Sequence, residues 1–188
     1  MPFIGNKPTA VPLGTSDLAD GIVTVSKLAS TLDLSSNTIT LPSGVGGKVL
    51  QVVTTTKTDV TSTTSSSFVD ITGMSVSITP ASTSSKILIL SDIGVSSDTT
   101  DRSDQIRLLR DATTIVSSAN LFRITVNSVM YNASLNYVDS PATTSATTYK
   151  LQWLSEAGLG TVYLNRRGNS ASVFTISTIT ALEIAEWL

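Results

Sequence analysis

From residue 48 onward, apolar and polar residues alternate in short runs separated by Ser, Thr, Gly, Asn and Asp. A period of two is that of a half-buried strand, whose successive side chains point to opposite faces. The pattern predicts strands at 48–54, 68–79, 86–95, 105–110, 113–117, 120–126, 129–138, 147–155, 161–165, 172–178 and 180–185. A hairpin is expected about Asp111 and Ala112, and two more turning at 156–160 and 167–169. No helix longer than a turn or two is indicated, and strands spaced about ten residues apart without helical crossovers predict an all-β fold. The expected architecture for 48–188 is an antiparallel β-sandwich, jelly-roll-like. Its predicted core is Val49, Leu50, Val52, Val69, Ile71, Val76, Ile78, Ile87, Ile89, Ile106, Leu108, Leu151, Trp153, Val162, Leu164, Phe174, Ile176, Leu182 and Ile184.

The leading part has a different texture. Residues 1–14 hold three of the six prolines and read as an extended arm. Residues 15–47 form a short stalk and a Gly-rich hinge, with "SDLAD" and "SKLAS" repeating an S-x-L-A core ten residues apart. Ser16 and Ser26 suit helix N-caps, yet Gly21 and the β-branched run Ile22–Val25 oppose a long helix between them. "TLDLSSNTITL" then alternates like a strand. Leu18, Ile22, Leu28, Leu32, Leu34, Ile39 and Leu41 therefore lack a core of their own, and a segment this short buries such residues through oligomerisation, a metal or disulfides. Only oligomerisation is open to it, so these seven are the predicted self-association residues. Phe3 and Ile4 are the candidate pegs by which the arm attaches to a neighbouring protein, with a frayed terminus as the alternative reading.

Composition narrows the chemistry. The chain has no cysteine and no histidine. Ser-His-Asp and Cys-His nucleophile systems cannot be built from it, nor can transition-metal sites that need imidazole or thiolate. Charged residues are 14% of the chain, and Ser with Thr make up about a third, so hydroxyls stand where charges usually do. With 12 basic residues spread along a chain of net charge −2, there is no electrostatic footprint for nucleic acid. No apolar run approaches the roughly 20 residues of a membrane span, so no membrane insertion is expected, and the opening "MPFIGNKPTAVPLG" lacks the plan of an export signal.

Several constellations invite a chemical reading. Gly44, Gly46, Gly47 and Lys48 resemble a phosphate loop only superficially, since Val49 stands where Ser or Thr would hold magnesium. Asp98, Asp101 and Asp104 suggest calcium, but their i, i+3, i+6 spacing encloses Arg102 and reads as a solvated loop. Glu156, Glu183 and Glu186 could supply a glycosidase pair only if the fold set two of them at a working separation. Arg166 and Arg167 beside Gly168 and Asn169 could bind a sugar or phosphate, with a solvated hairpin turn as the plainer reading. Trp153 reads as core, and Trp187 as packing against a neighbouring subunit or the base of the head. No catalytic residue, cofactor or metal ligand is assigned.

The stretch "DLADGIVTVSKLASTLDLSSNTITLP" resembles segments of fibre and other appendage proteins of tailed bacteriophages, marine and cyanobacterial phages especially. "GKVLQVV", "RLLRDATTI", "YVDSPATTSATTYKLQ" and "STITALEI" are similar to features of the heads of that family. The resemblance implies a trimeric jelly-roll head of the complement-like and tumour-necrosis-factor-like kind, and with it that Leu18, Ile22, Leu28, Leu32, Leu34, Ile39 and Leu41 are trimerisation residues, packed from three copies around a threefold axis. It also implies a non-enzymatic virion protein, assembled in the host cytoplasm: a homotrimeric tail fibre held to other phage proteins by its arm and binding a host surface glycan or protein through its head. A capsid-attached head fibre or decoration protein is the alternative, and a polysaccharide-degrading appendage a second.

Overall fold

A computed structural model describes residues 49–117 and 122–185. The seven stalk residues, Phe3, Ile4, Glu186 and Trp187 lie outside them. The described strands are β1 (Val49–Lys57), β2 (Thr61–Thr63), β3 (Val69–Ile78), β4 (Lys86–Ser97), β5 (Arg102–Arg110), β6 (Thr113–Ser117) and β7 (Phe122–Ile124), then β8 (Tyr131–Asp139), β9 (Thr147–Leu154), β10 (Val162–Leu164), β11 (Arg166–Arg167), β12 (Ser170–Phe174) and β13 (Ser177–Ile184). Among the described residues the one helical element is a single 3-10 turn at Glu156–Gly158.

The strands form an all-β antiparallel sandwich. One sheet runs β1-β13-β4-β10-β2, with β8 on the other edge of β4. The facing sheet runs β3-β9-β5-β6, with β7 also on β5. From β3 to β5 the chain changes sheet at each step, and it does so again from β8 to β9 to β10, which is the jelly-roll manner of leaving few open edges. β11 and β12 form a separate small hairpin.

The β5–β6 hairpin turns at Asp111 and Ala112 as expected, with Arg110 opposite Thr113 and Asp111 in the left-handed region at φ 52°. The turn expected at 156–160 is instead a crossover. β9 pairs with β3 and β5, whereas β10 pairs with β4 and β2 in the other sheet. The hairpin expected at 167–169 exists, with Arg167 opposite Ser170.

Apolar side chains fill the space between the sheets: Ile87, Ile89, Ile93 and Val95 of β4 and Ile179 and Ala181 of β13 on one side, and Met74, Ile106, Tyr149 and Trp153 among those on the other. Trp153 is buried, as predicted. Eight predicted core positions are not in this layer. Val49, Leu50, Val52, Val69, Phe174 and Ile176 are exposed, and Leu182 and Ile184 are half-buried on the opposite face. β13 runs in the other register, with Ser177, Ile179, Ala181 and Glu183 inward.

That register places a carboxylate inside, and its partners explain why it is tolerated. Glu183 is fully buried and accepts hydrogen bonds from Ser85 Oγ at 2.6 Å, Gln51 Nε2 at 2.6 Å and the Ala81 amide at 2.7 Å. Burial opposes its ionisation, but these bonds outweigh burial and hold its carboxyl below the ordinary range. A second knot is Asn165, buried with φ 61°. Its Nδ2 donates to the Lys57 carbonyl at 2.7 Å and the Asp59 carbonyl at 3.1 Å, its amide donates to the Gly94 carbonyl, and its Oδ1 accepts from Ser177. One side chain thus ties the end of β1 to β13, while its backbone holds β4.

Candidate interaction surface

Residues directly opposite each other on paired strands share a face. On the solvent side of the first sheet, Val52 stands opposite Leu182, Leu182 opposite Leu88, and Leu88 opposite Val138. An apolar row therefore crosses β1, β13, β4 and β8 without a polar interruption. Val52 and Val138 at its two ends are 55% and 54% exposed. On the side where the chain enters β1, Val49 stands opposite Ile184 and Ile184 opposite Lys86, with Leu50 exposed at the β1 bulge, and Leu90 flanks the row on the other side.

Polarity changes along the strands. One row farther from the entry, Thr54 and Thr180 share a 3.0 Å hydroxyl contact, and Asn136 stands opposite Leu90. Next come Thr56, Thr178, Asp92 and Ser134, and a shallow open depression lies over Leu90, Asp92, Asn136 and Thr180. The face thus grades from aliphatic at the chain entry to hydroxyl-lined and acidic at the far end.

The outer face of the facing sheet is built differently. Asp70, Gln152 and Arg107 stand side by side across β3, β9 and β5. Gln152 donates to Asp70 at 2.6 Å, Lys150 donates to the other Asp70 oxygen at 2.9 Å, and Arg107 Nε donates to Gln152 at 2.8 Å. The Gln152 amide first and the Lys150 ammonium second hold the Asp70 carboxyl below its ordinary range. Arg107 also lies 4.2 Å over the Phe68 ring. This lattice satisfies its own polar groups in water.

The comparisons with known proteins can be set beside this geometry. No protein-family model matches the chain, and no curated protein matches it. Among solved structures it is similar to the infectious bursal disease virus VP2 subviral particle, at 18% identity and a TM-score of 0.41 over 72% of this chain and 37% of that one. It is likewise similar to the structure of the Gt strain of that virus, at 17% identity and a TM-score of 0.43 over 79% of this chain and 42% of that one. The chain spans less than half the length of these structures. The sandwich is assigned from its own strand pairing.

The structure separates the remaining candidate residues. Asp98 accepts from the Thr161 amide at 2.8 Å and from Thr99, and these bonds, with one from Tyr163, outweigh partial burial and lower its pKa. Asp101 meets Arg123 at 3.2 Å on the surface. Asp104 is no solvated loop residue: it is fully buried, 3.0 Å from an equally hidden Arg102, which also donates to Ser155 at 2.8 Å. The three aspartates face three different partners, and among the described residues no group of three His, Cys, Asp or Glu is placed to hold a metal. Glu156 accepts from the Ser103 amide at 2.6 Å, far in partner set from Glu183.

The Arg166–Arg167 turn is not simply solvated either. Arg166 stacks 4.3 Å over Tyr163, and a Cβ on Gly168 would come within 1.9 Å of the Ser97 carbonyl oxygen. This turn is pressed onto the sheet through a glycine. Sequence reasoning misses the aliphatic face because it assigns Leu50, Val52, Leu182 and Ile184 to the core and gives Leu88, Leu90 and Val138 no role; the signal present is that β13 and β4 carry apolar residues in both registers.

Proposed function

We propose that the chain is a structural, non-enzymatic protein of a virion, and within that class a short homotrimeric tail fibre of a tailed bacteriophage. Residues 1–14 would lie on other virion proteins through Phe3 and Ile4. Residues 15–47 would gather three copies through Leu18, Ile22, Leu28, Leu32, Leu34, Ile39 and Leu41. The sandwich would point outward to a host surface glycan or protein, and three weak sites on one rigid trimer would gain avidity through effective concentration.

One observation carries this reading. The space between the sheets is filled by the sandwich's own side chains, so the leader's seven aliphatic residues are not needed there and must find cover elsewhere. The resemblance of residues 16–42 to appendage segments supports the same conclusion. Gold-labelled antibody against the sandwich, viewed on intact particles by electron microscopy, tests the station: label at the tail is expected, and label on capsid faces or vertices would favour a decoration protein instead.

A further inference from the structure

Beyond its aliphatic row, the outer face of the first sheet carries two further rows on three neighbouring strands: Thr180, Leu90 and Asn136, then Thr178, Asp92 and Ser134. Together they line the open depression, whose volume is about 370 Å³, within the roughly 300–1,000 Å³ of small-molecule sites. On the side away from the chain entry its floor ends at Gly94, where Thr175 sits so close that a Cβ on the glycine would come within 2.1 Å of the threonine methyl. The polar groups of the depression are not spent on one another. On the facing sheet the carboxylate and amide of Asp70 and Gln152 are bonded at 2.6 Å. Among the described residues Asp92 is met only by Ser134, at 3.5 Å, and the Asn136 side chain forms no hydrogen bond.

We propose that this depression binds one uncharged hexose unit of a surface glycan, its hydroxyls on Asp92 and Asn136 and its C–H face on Leu90. The proposal deepens the host-glycan reading given above and rests on it. An ionised carboxylate only accepts, an amide both donates and accepts, and a Thr or Ser hydroxyl does either. Such a set on adjacent strands matches neighbouring hydroxyls of a sugar ring, which are themselves donors and acceptors. No Lys or Arg lines the depression, so an acidic sugar or a phosphate would meet Asp92 with no cation to offset the repulsion. Two rows about 7 Å apart on strands about 4.8 Å apart give a footprint for a single ring. Side chains on packed strands are held in place before the ligand arrives, so little ordering is lost on binding. One ring on an open site binds only at about millimolar strength, and three such sites on one trimer supply the avidity.

Saturation-transfer NMR on the full-length protein tests the site, with glucose, galactose, mannose, rhamnose and N-acetylglucosamine at millimolar concentration and glucuronate as the charged arm. At least one neutral sugar is expected to give a signal. That signal should fall at least about fivefold in Asp92→Ala and in Asn136→Ala, each the loss of one or more hydrogen bonds to the ligand. It should be unchanged in Ser75→Ala, an exposed residue of the other sheet. Asp92 and Asn136 are themselves exposed, so both variants keep the fold. A signal from no neutral sugar, a signal untouched by either substitution, or a stronger signal from glucuronate would overturn the site. Light scattering on the same samples separates that failure from failure of the wider reading. A trimeric mass with any of those three results leaves the appendage reading standing, whereas a single-chain mass overturns the trimeric fibre whatever the sugars do.

Discussion

The two outer faces of this sandwich answer the same problem in opposite ways. On β3-β9-β5, a carboxylate, an amide, an ammonium and a guanidinium bond to one another across three strands, and the face is complete in water. On β1-β13-β4-β8, the equivalent row is Val, Leu, Leu, Val, with nothing among the described residues laid over it. Both sheets contribute inward faces to the same core, so the difference does not arise from folding the single domain. It leaves one outer face polar and self-satisfied and the other aliphatic. Beneath the aliphatic face lie the two buried polar anchors of the fold, Glu183 and Asn165.

The largest effect should therefore come from those anchors. Asn165→Ala removes bonds to two carbonyls and to Ser177 and leaves a left-handed backbone without its side chain. A loss of about 3 kcal/mol or more is expected, read from urea unfolding. Gly168→Ala should follow at about 2–3 kcal/mol, because a backbone oxygen rather than a flexible side chain meets the new methyl group.

Glu183→Gln comes next, at about 2 kcal/mol near neutrality, since one of the three bonds to a charged acceptor is lost and a donor is forced on the others. The same residue sets a pH signature. Its folded pKa lies below the unfolded value, so its contribution is full above the unfolded carboxylate range and is lost as pH falls through the folded one. Asp70 and Asp98 act in the same direction. Unfolding free energy measured from pH 6 downward should decline, and the Glu183→Gln protein should decline less steeply.

Smaller effects distinguish the two faces. Arg107→Ala on the finished face should cost about 1 kcal/mol or less, with the cost shrinking in high salt and no change in molecular mass. Val138→Ser on the other face should change the unfolding of dissociated chains by less than about 0.5 kcal/mol, because that position is already open to solvent. A cost for Val138→Ser larger than that of Arg107→Ala at low salt would erase the distinction between the faces.

Much of this fold is legible in the alternation. β3, β5 and β9 carry most of their large aliphatic or aromatic residues in one register, and Ile71, Val76, Ile87, Ile89, Ile106, Leu108, Leu151 and Trp153 are in the core as predicted. β13 defeats the rule. "STITALEI" offers Ile179 and Ala181 in one register and Leu182 and Ile184 in the other, and Glu183 argues against the first. The glutamate is inside because Ser85, Gln51 and the Ala81 amide, all distant in sequence, converge on it. No local pattern contains that information. The crossover at 156–160 was hidden for a related reason: a short Gly-containing link reads as a hairpin whether the next strand joins the same sheet or the opposite one.

The interaction surface was legible in composition but not in direction. Leu50, Val52, Leu182 and Ile184 read as core because they are apolar members of alternating runs, and the structure sets them on the outer face instead. A strand apolar on both faces does not say from its own sequence which face is the inner one.

Light scattering of the full-length protein over a wide concentration range tests the central claim most directly. Self-association through the stalk at residues 15–47 predicts a constant mass three times that of the 19.7 kDa chain. A constant mass equal to one chain would contradict it.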